Sequence, residues 1–226
     1  MDKKKDDRLL EIDRKEVLRY LGYGREQADG QILALLETVI EELERTARPR
    51  HLQREFELEL LEGDRIFGGC FLVKSQALRR NLEDCERVIV FAATLGAEVD
   101  YLLQRYGRLQ MSRAVVLQAA SAAMIEAYCN LVCKELAERY EAQGLYLRPR
   151  FSPGYGDLPL DCQPDLLNAL EAGKRIGIKL TESFLMMPSK SVSAVIGVSK
   201  KPRRCAVGGC EACKKADCPY RREGSG

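Results

Sequence analysis

The amino-acid sequence predicts an α+β fold, an antiparallel twisted sheet with flanking helices, on three observations. Apolar residues recur at helical spacing in 31–45 and again in 112–140, so each segment has one face to bury. Runs with alternating or continuous apolar character at 56–60, 87–95 and 192–198 read as strands. Helices and strands are mixed without the regular strand–helix–strand rhythm of a parallel sheet.

The first block, 9–48, is helical. Asp13 can cap a short helix running through Leu21, which stops at Gly22-Tyr23-Gly24. Gly22-x-Gly24 has no strand before it, so it reads as a helix stop and not as a phosphate loop. In 31–45, Ile32, Leu35, Leu36, Val39, Ile40 and Leu43 share a face. The second block, 52–144, is mixed. Phe56, Leu58 and Leu60 alternate with Glu55, Glu57 and Glu59, the pattern of a half-buried strand. The run RVIVFAATL at 87–95 reads as an inner strand, followed by a helix near 97–106. The longest helix, 112–140, comes next and closes at Gly144. The third block, 145–199, carries turns and a hairpin. Ile178, Leu180, Glu182, Phe184 and Met186 alternate with polar Lys179, Thr181 and Ser183. Pro188-Ser189-Lys190 breaks the run, and Val192, Ala194, Ile196 and Val198 share one face of a return strand. Residues 1–200 form one domain on this reading, and 201–226 a basic, cysteine-rich tail.

Composition narrows the function. Of 226 residues, 46% are hydrophobic and 31% charged, enough apolar material for a sizeable core. Against 34 acidic side chains stand 36 basic ones, so no global field points to nucleic acid. The basic runs at Lys3-Lys4-Lys5 and from Lys200 to Arg222 read as solvated ends or docking patches for an acidic partner. Met1 is followed by Lys and Asp instead of an apolar run, and 114–133 carries Gln118, Ser121, Glu126 and Asn130. The expectation is a cytoplasmic chain with no membrane span. In that compartment nine cysteines imply thiols and a metal site rather than disulfides. The single histidine, His51, lies among Arg48, Arg50 and Arg54 in an expected surface loop, which leaves little scope for histidine-based acid–base chemistry.

Glu126 is the only charged residue in 114–133. Steps of three and four place it on a stripe with Val115, Ala119, Ala122, Cys129, Cys133, Leu136 and Tyr140. A carboxylate there is expected to be buried, and burial without a partner costs several kcal/mol. It therefore contacts a polar ligand, pairs with an arginine, or keeps some water. Cys129 and Cys133 read as small apolar core residues.

A dense turn follows the helix: Arg150-Phe151-Ser152-Pro153-Gly154-Tyr155-Gly156. Arginine offers a planar fork for a carboxylate and tyrosine a stacking face, which suits a molecule with an amino-acid end and an adenine end. Arg150-x-x-Pro-Gly154-Tyr155, then Lys179-Leu-Thr-Glu-Ser-Phe184, then Ser191-Val-Ser193, resembles the activation domain of cobalamin-dependent methionine synthase. The likeness covers 9–199 and is strongest from 112 onward. It implies an S-adenosylmethionine site built from Arg150, Ser152, Gly154 and Tyr155, with Glu126 as the upstream helical glutamate. Asp13, in the pair Ile12-Asp13, becomes an acidic ligand or remains a helix cap. The resemblance also implies the reaction. Cob(II)alamin on a methionine synthase or related corrinoid protein is restored by one electron, from a flavodoxin-type reductant, and a methyl group from S-adenosylmethionine. Cobalt is the nucleophile, so this chain needs no general base.

Two departures stand out. The homocysteine, folate and cobalamin modules are absent, so the sequence reads as a split-off, stand-alone subunit. The family's aromatic residues after Ser-Val-Ser are replaced here by Ala194-Val-Ile-Gly-Val-Ser199. Beyond the resemblance, Cys205-x4-Cys210-x2-Cys213-x4-Cys218 packs four thiols into fourteen residues, a set suited to zinc or to an iron–sulfur cluster.

Overall fold

Aspartates open the first two helices. Asp13 accepts from the N–H groups of Lys15 and Glu16 ahead of α1 (Arg14–Tyr20), and Asp29 accepts from Gln31 and Ile32 ahead of α2 (Gly30–Thr46). Each satisfies two of the donors that a helix start leaves open. The computed structural model describes residues 12–23 and 28–202, so Gly24 and the four tail cysteines lie outside the described residues.

The chain continues through β1 (Arg50–Glu57), β2 (Glu59–Leu60), β3 (Arg65–Phe67), β4 (Leu72–Lys74) and α3 (Gln76–Asn81). Then come β5 (Cys85–Thr94), α4 (Ala97–Leu109), α5 (Met111–Glu141) and β6 (Tyr146–Leu147). After a 3-10 turn at Leu160–Cys162 follow α6 (Gln163–Ala169), α7 (Ala172–Arg175), β7 (Lys179–Leu180), β8 (Met186–Met187) and β9 (Ser191–Ser199). The main sheet has the order β1-β5-β9-β6 and is antiparallel throughout. Strands β2, β3 and β4 form a small separate meander. The α+β architecture with an antiparallel sheet and flanking helices is thus what the chain adopts.

The continuous apolar run in β5 has a simple cause: both of its faces are covered. Ile89, Phe91 and Ala93 join α1, α2, α4 and α5 in one core, while Val88, Val90 and Ala92 join α3, α6 and α7 in a second. An inner strand buried on both sides needs no polar alternation. Helix α5 lies across the first core against α1, α2 and α4. By length and composition Met111–Glu141 would pass for a membrane span, contrary to the reading of 114–133 as too polar. Some 56% of its apolar window is buried inside the fold, the behaviour of a core helix.

Two sequence readings need correction. His51 is not in a loop: it lies in β1, half-buried, its Nδ1 2.8 Å from the Tyr128 hydroxyl and its ring stacked on Phe91. Strand β1 starts at Arg50 because it pairs with β5 as an edge, where long polar side chains hide the alternation. The hairpin in 178–198 is also different. β7 and β8 pair only with each other across a tight turn in which Phe184 has φ +62° and Thr181 Oγ1 accepts from the Leu185 N–H. β9 pairs with β5 and β6 instead. Period-two patterning shows which face of a strand is buried and does not name its neighbour.

Candidate functional site

The site begins where β6 runs out along the sheet edge. Phe151 bridges Val195 of β9 through both backbone hydrogen bonds, at 2.9 and 2.8 Å, and its ring is buried in the second core. Successive residues of an extended strand face opposite ways, so Arg150 turns toward α5. There Glu126 and Asn130, four residues apart, share a helix face. Arg150 Nη2 donates to Glu126 Oε2 at 3.0 Å and to Asn130 Oδ1 at 2.9 Å. The arginine side chain is 18% exposed and the glutamate 48%. Arg150 Nη1 is buried and has no hydrogen-bond partner among the described residues.

This exposure corrects the expectation of a buried Glu126. The α5 stripe straddles the boundary between core and solvent: Ala119 and Cys129 are buried, while Val115 is 52% exposed. The alanines beside Glu126 permit close helix packing at Ala119, Ala120 and Ala123, and Glu126 sits at their outer margin. The proximity that matters is nevertheless present, because Glu126 and Arg150 touch.

Neighbouring groups tune the corner. Burial pushes the Cys129 thiol up to about 12 and raises Cys133 as well; the Arg150 charge offsets part of both shifts. Both cysteines thus stay protonated and apolar beside the arginine. Tyr20, at the C-terminal end of α1, is raised by burial first and then by the carboxylates of Glu16 and Glu126. Asp13 caps the opposite end of that helix, about 10 Å away along its axis. It is exposed and its carboxylate is engaged in the cap, so the structure shows the capping role and does not bring Asp13 into the Arg150 cluster.

Beyond Arg150 the chain folds into a compact turn. Tyr155 N–H donates to Ser152 O, Gly154 N–H to Leu158 O, and Leu158 N–H to Tyr155 O. Gly154 has φ +84°, a conformation costly for any residue with a Cβ. Tyr155 is 64% exposed and meets Phe151 edge-on with centroids 5.3 Å apart. Ser152 is half-buried on the same turn. Asp157 ties the turn down: Oδ1 accepts from Ser75 Oγ (2.5 Å) and Ala77 N (3.0 Å), and Oδ2 from Gln76 N (2.7 Å).

Arg150, Glu126, Ser152, Gly154 and Tyr155 therefore lie along one helix–turn corner. Sequence reasoning missed Asn130, Asp157 and Tyr20 as members of its frame. Asn130 carried a signal, since it is four residues after Glu126 on a helix. Asp157 carried none, because its partners on α3 are some eighty residues away in sequence. Chemically, the corner presents a guanidinium with a spare buried donor, a half-exposed carboxylate and an open aromatic face. That set fits an anion, a cation and a planar ring in one molecule. Among the described residues no group of three or more His, Cys, Asp or Glu side chains could hold a metal.

Comparison with known proteins bears on the fold and the family. The fold matches a crystal structure of the MetH reactivation domain bound to AdoHcy, with a TM-score of 0.59 and 18% identity, covering 86% of this chain and 77% of that one. At that identity the likeness concerns the fold. A family model for the vitamin B12 dependent methionine synthase activation domain matches residues 79–223, which takes in Glu126, the Arg150–Tyr155 turn and the cysteine cluster, and leaves Asp13 outside. With well over half of its length matched, the chain belongs to the family of vitamin B12-dependent methionine synthase activation domains.

Proposed function

We propose that this chain binds S-adenosylmethionine at the Arg150–Glu126 corner and presents its methyl group to a cobalamin carried by another protein. The observation that carries this reading is the 3.0 Å contact between Arg150 and Glu126 beside the Gly154-Tyr155 turn. It is supported by the family match and by the S-adenosyl ligand named for the structurally similar reactivation domain.

The residues fit such a ligand. Arg150 Nη1 is a buried donor without an acceptor among the described residues, a costly state that a ligand carboxylate would relieve. Glu126 is exposed enough to take the ligand ammonium. The ligand then exchanges one internal ion pair for two intermolecular ones. Because the Glu126 side of the internal pair is half open to solvent, breaking it costs little, as ion pairs open to solvent contribute on the order of 0.2–1 kcal/mol. Tyr155 offers its face to the adenine, Gly154 keeps that approach free of a side chain, and Ser152 lies where a hydroxyl can meet the nucleoside. Asp13, if released from its cap, would add a second acidic group. The sulfonium supplies an electrophilic methyl when bound, and the protein's part is orientation.

In this reading residues 1–200 form a stand-alone, cytoplasmic activation domain. It serves a cobalamin-binding methionine synthase or a related corrinoid protein, with a flavodoxin-type donor supplying the electron. The tail, 201–226, is a separate thiolate module in which Cys205, Cys210, Cys213 and Cys218 hold zinc or an iron–sulfur cluster. Visible absorption of anaerobically purified protein marks a cluster, and a colourless, zinc-containing protein marks the other. The central test mixes this chain with an oxidised cobalamin synthase, a reductant and methyl-labelled S-adenosylmethionine. Label on cobalt is expected. Arg150→Ala should lower S-adenosylhomocysteine affinity by about 10–100-fold, or 1.4–2.8 kcal/mol; unchanged affinity removes the assignment.

A further inference from the structure

We infer that Asp157 is the positioning residue of the site, clamping the Gly154-Tyr155 half of the corner to the start of α3. The proposal rests on the S-adenosyl reading and deepens it. Arg150 and Phe151 are fixed by the sheet: Phe151 bridges Val195 and buries its ring. The residues that follow have no such support. From Ser152 to Gly156 the described backbone hydrogen bonds are made within the turn or to Leu158, and Tyr155 stands 64% exposed. On the far side of that turn Asp157 accepts three hydrogen bonds from three consecutive residues, Ser75, Gln76 and Ala77.

The clamp is built in depth. Ser75 is 1% exposed and its Oγ plays two parts, donating to Asp157 and accepting from the Leu78 N–H as the N-cap of α3. The carboxylate thus engages both the capping hydroxyl and two backbone donors of the helix start. Those hydrogen bonds hold the Asp157 carboxyl below the usual carboxylate range, the Ser75 contact contributing most. The clamp therefore keeps its charge to a lower pH than an ordinary aspartate does. Close approach reinforces it. Gly156 has φ +58°, and a Cβ there would lie 3.0 Å from Ala77 Cβ, so a side chain at this position would strain the turn and crowd it against α3.

A ring that must meet an adenine face gains affinity from being held in place before the ligand arrives. The sheet supplies that order for Arg150, and Asp157 supplies it for Tyr155. Without the clamp, binding has to order the turn as well as the ligand.

The test uses the full chain. It contains no tryptophan, so Tyr155→Trp gives a sole reporter on the turn. Replacing Asp157 by Ala in that background is expected to lower the tryptophan anisotropy, with Asp157→Asn intermediate because its carbonyl can keep the bonds from Ser75 and Ala77 while its amide loses the one from Gln76. In the tyrosine-bearing protein, S-adenosylhomocysteine affinity should fall about tenfold for Ala and less for Asn. Leu43→Ala, which opens a cavity in the first core on α2, should leave it unchanged, separating positioning from general loss of stability. Wild-type affinity in a folded Asp157→Ala protein overturns the proposal, and so does unchanged anisotropy. If the unsubstituted chain fails to bind S-adenosylhomocysteine, the ligand reading falls, while the anisotropy series still decides whether Asp157 fixes the turn.

Discussion

Arg150 is itself mostly dry, while both of its partners, Glu126 and Asn130, reach solvent, and this contrast sets what each can do. Asn130 gives the guanidinium a neutral acceptor, whereas Glu126 keeps enough solvent to change partners. The cysteines show the same logic in their ionisation. Burial pushes Cys70 up to about 11 and Cys129 and Cys162 to about 12, from an ordinary 9. A thiol near 11 is roughly 0.1% thiolate at pH 8, so these residues should resist alkylation until the protein unfolds. The consequence for stability has a definite sign. Below pH 9 the thiols are protonated in both states and add no pH dependence. Above it they ionise in the unfolded chain first, the folded state binds more protons, and stability falls as pH rises toward 11. Urea midpoints measured from pH 8 to 11 should decline over that window.

At the scale of elements, Asp13 opens α1 as its cap, and its proposed part in ligand binding can be tested apart from that role. Asp13 caps the helix, and its removal by Ala should cost about 1 kcal/mol of stability. Asn caps as well as Asp but carries no charge. Asp13→Asn should therefore keep the thermal midpoint. If the carboxylate serves the ligand, the same substitution lowers S-adenosylhomocysteine affinity; if it serves only the helix, affinity holds. Comparing melting and calorimetric titration of the two variants separates the roles. Helix α5 gives the complementary case, one element whose residues sort by side: Val116, Ala120 and Met124 build the core, and Glu126 with Asn130 faces the turn.

At the scale of the whole molecule, one sheet separates two cores, and its inner strands tolerate little added volume. Gly197 on β9 shows how tight the layer is. A Cβ there would approach Cys85 Sγ at 2.6 Å, Leu82 Cδ2 at 2.8 Å and Arg148 Cγ at 3.0 Å. Gly197→Ala should destabilise the protein by about 1–3 kcal/mol through overpacking, seen as a lower denaturant midpoint. The sheet also explains the site. It ends at β6, and the exposed edge is where Arg150 can reach over to α5 while the turn beyond it folds back to α3. The Arg150–Glu126 corner is a product of that edge.

The amino-acid sequence alone determined α1, α2, α4, α5 and the inner strands, because a cap such as Asp13 and the apolar periodicity of α2, α5 and β5 are local or one-dimensional properties. The short α3, α6 and α7 left no such signal, and 145–199 read only as turns and a hairpin. It also determined the family, since Arg150-x-x-Pro-Gly154-Tyr155 and the later motifs are contiguous words. Tertiary structure alone decided which strand β9 joins, that His51 lies in an edge strand, that Glu126 is half exposed, and that Asp157 grips α3. Each of these depends on which surfaces meet across dozens of residues, and burial and hydrogen-bond partners at that range are set by packing, which no local pattern records.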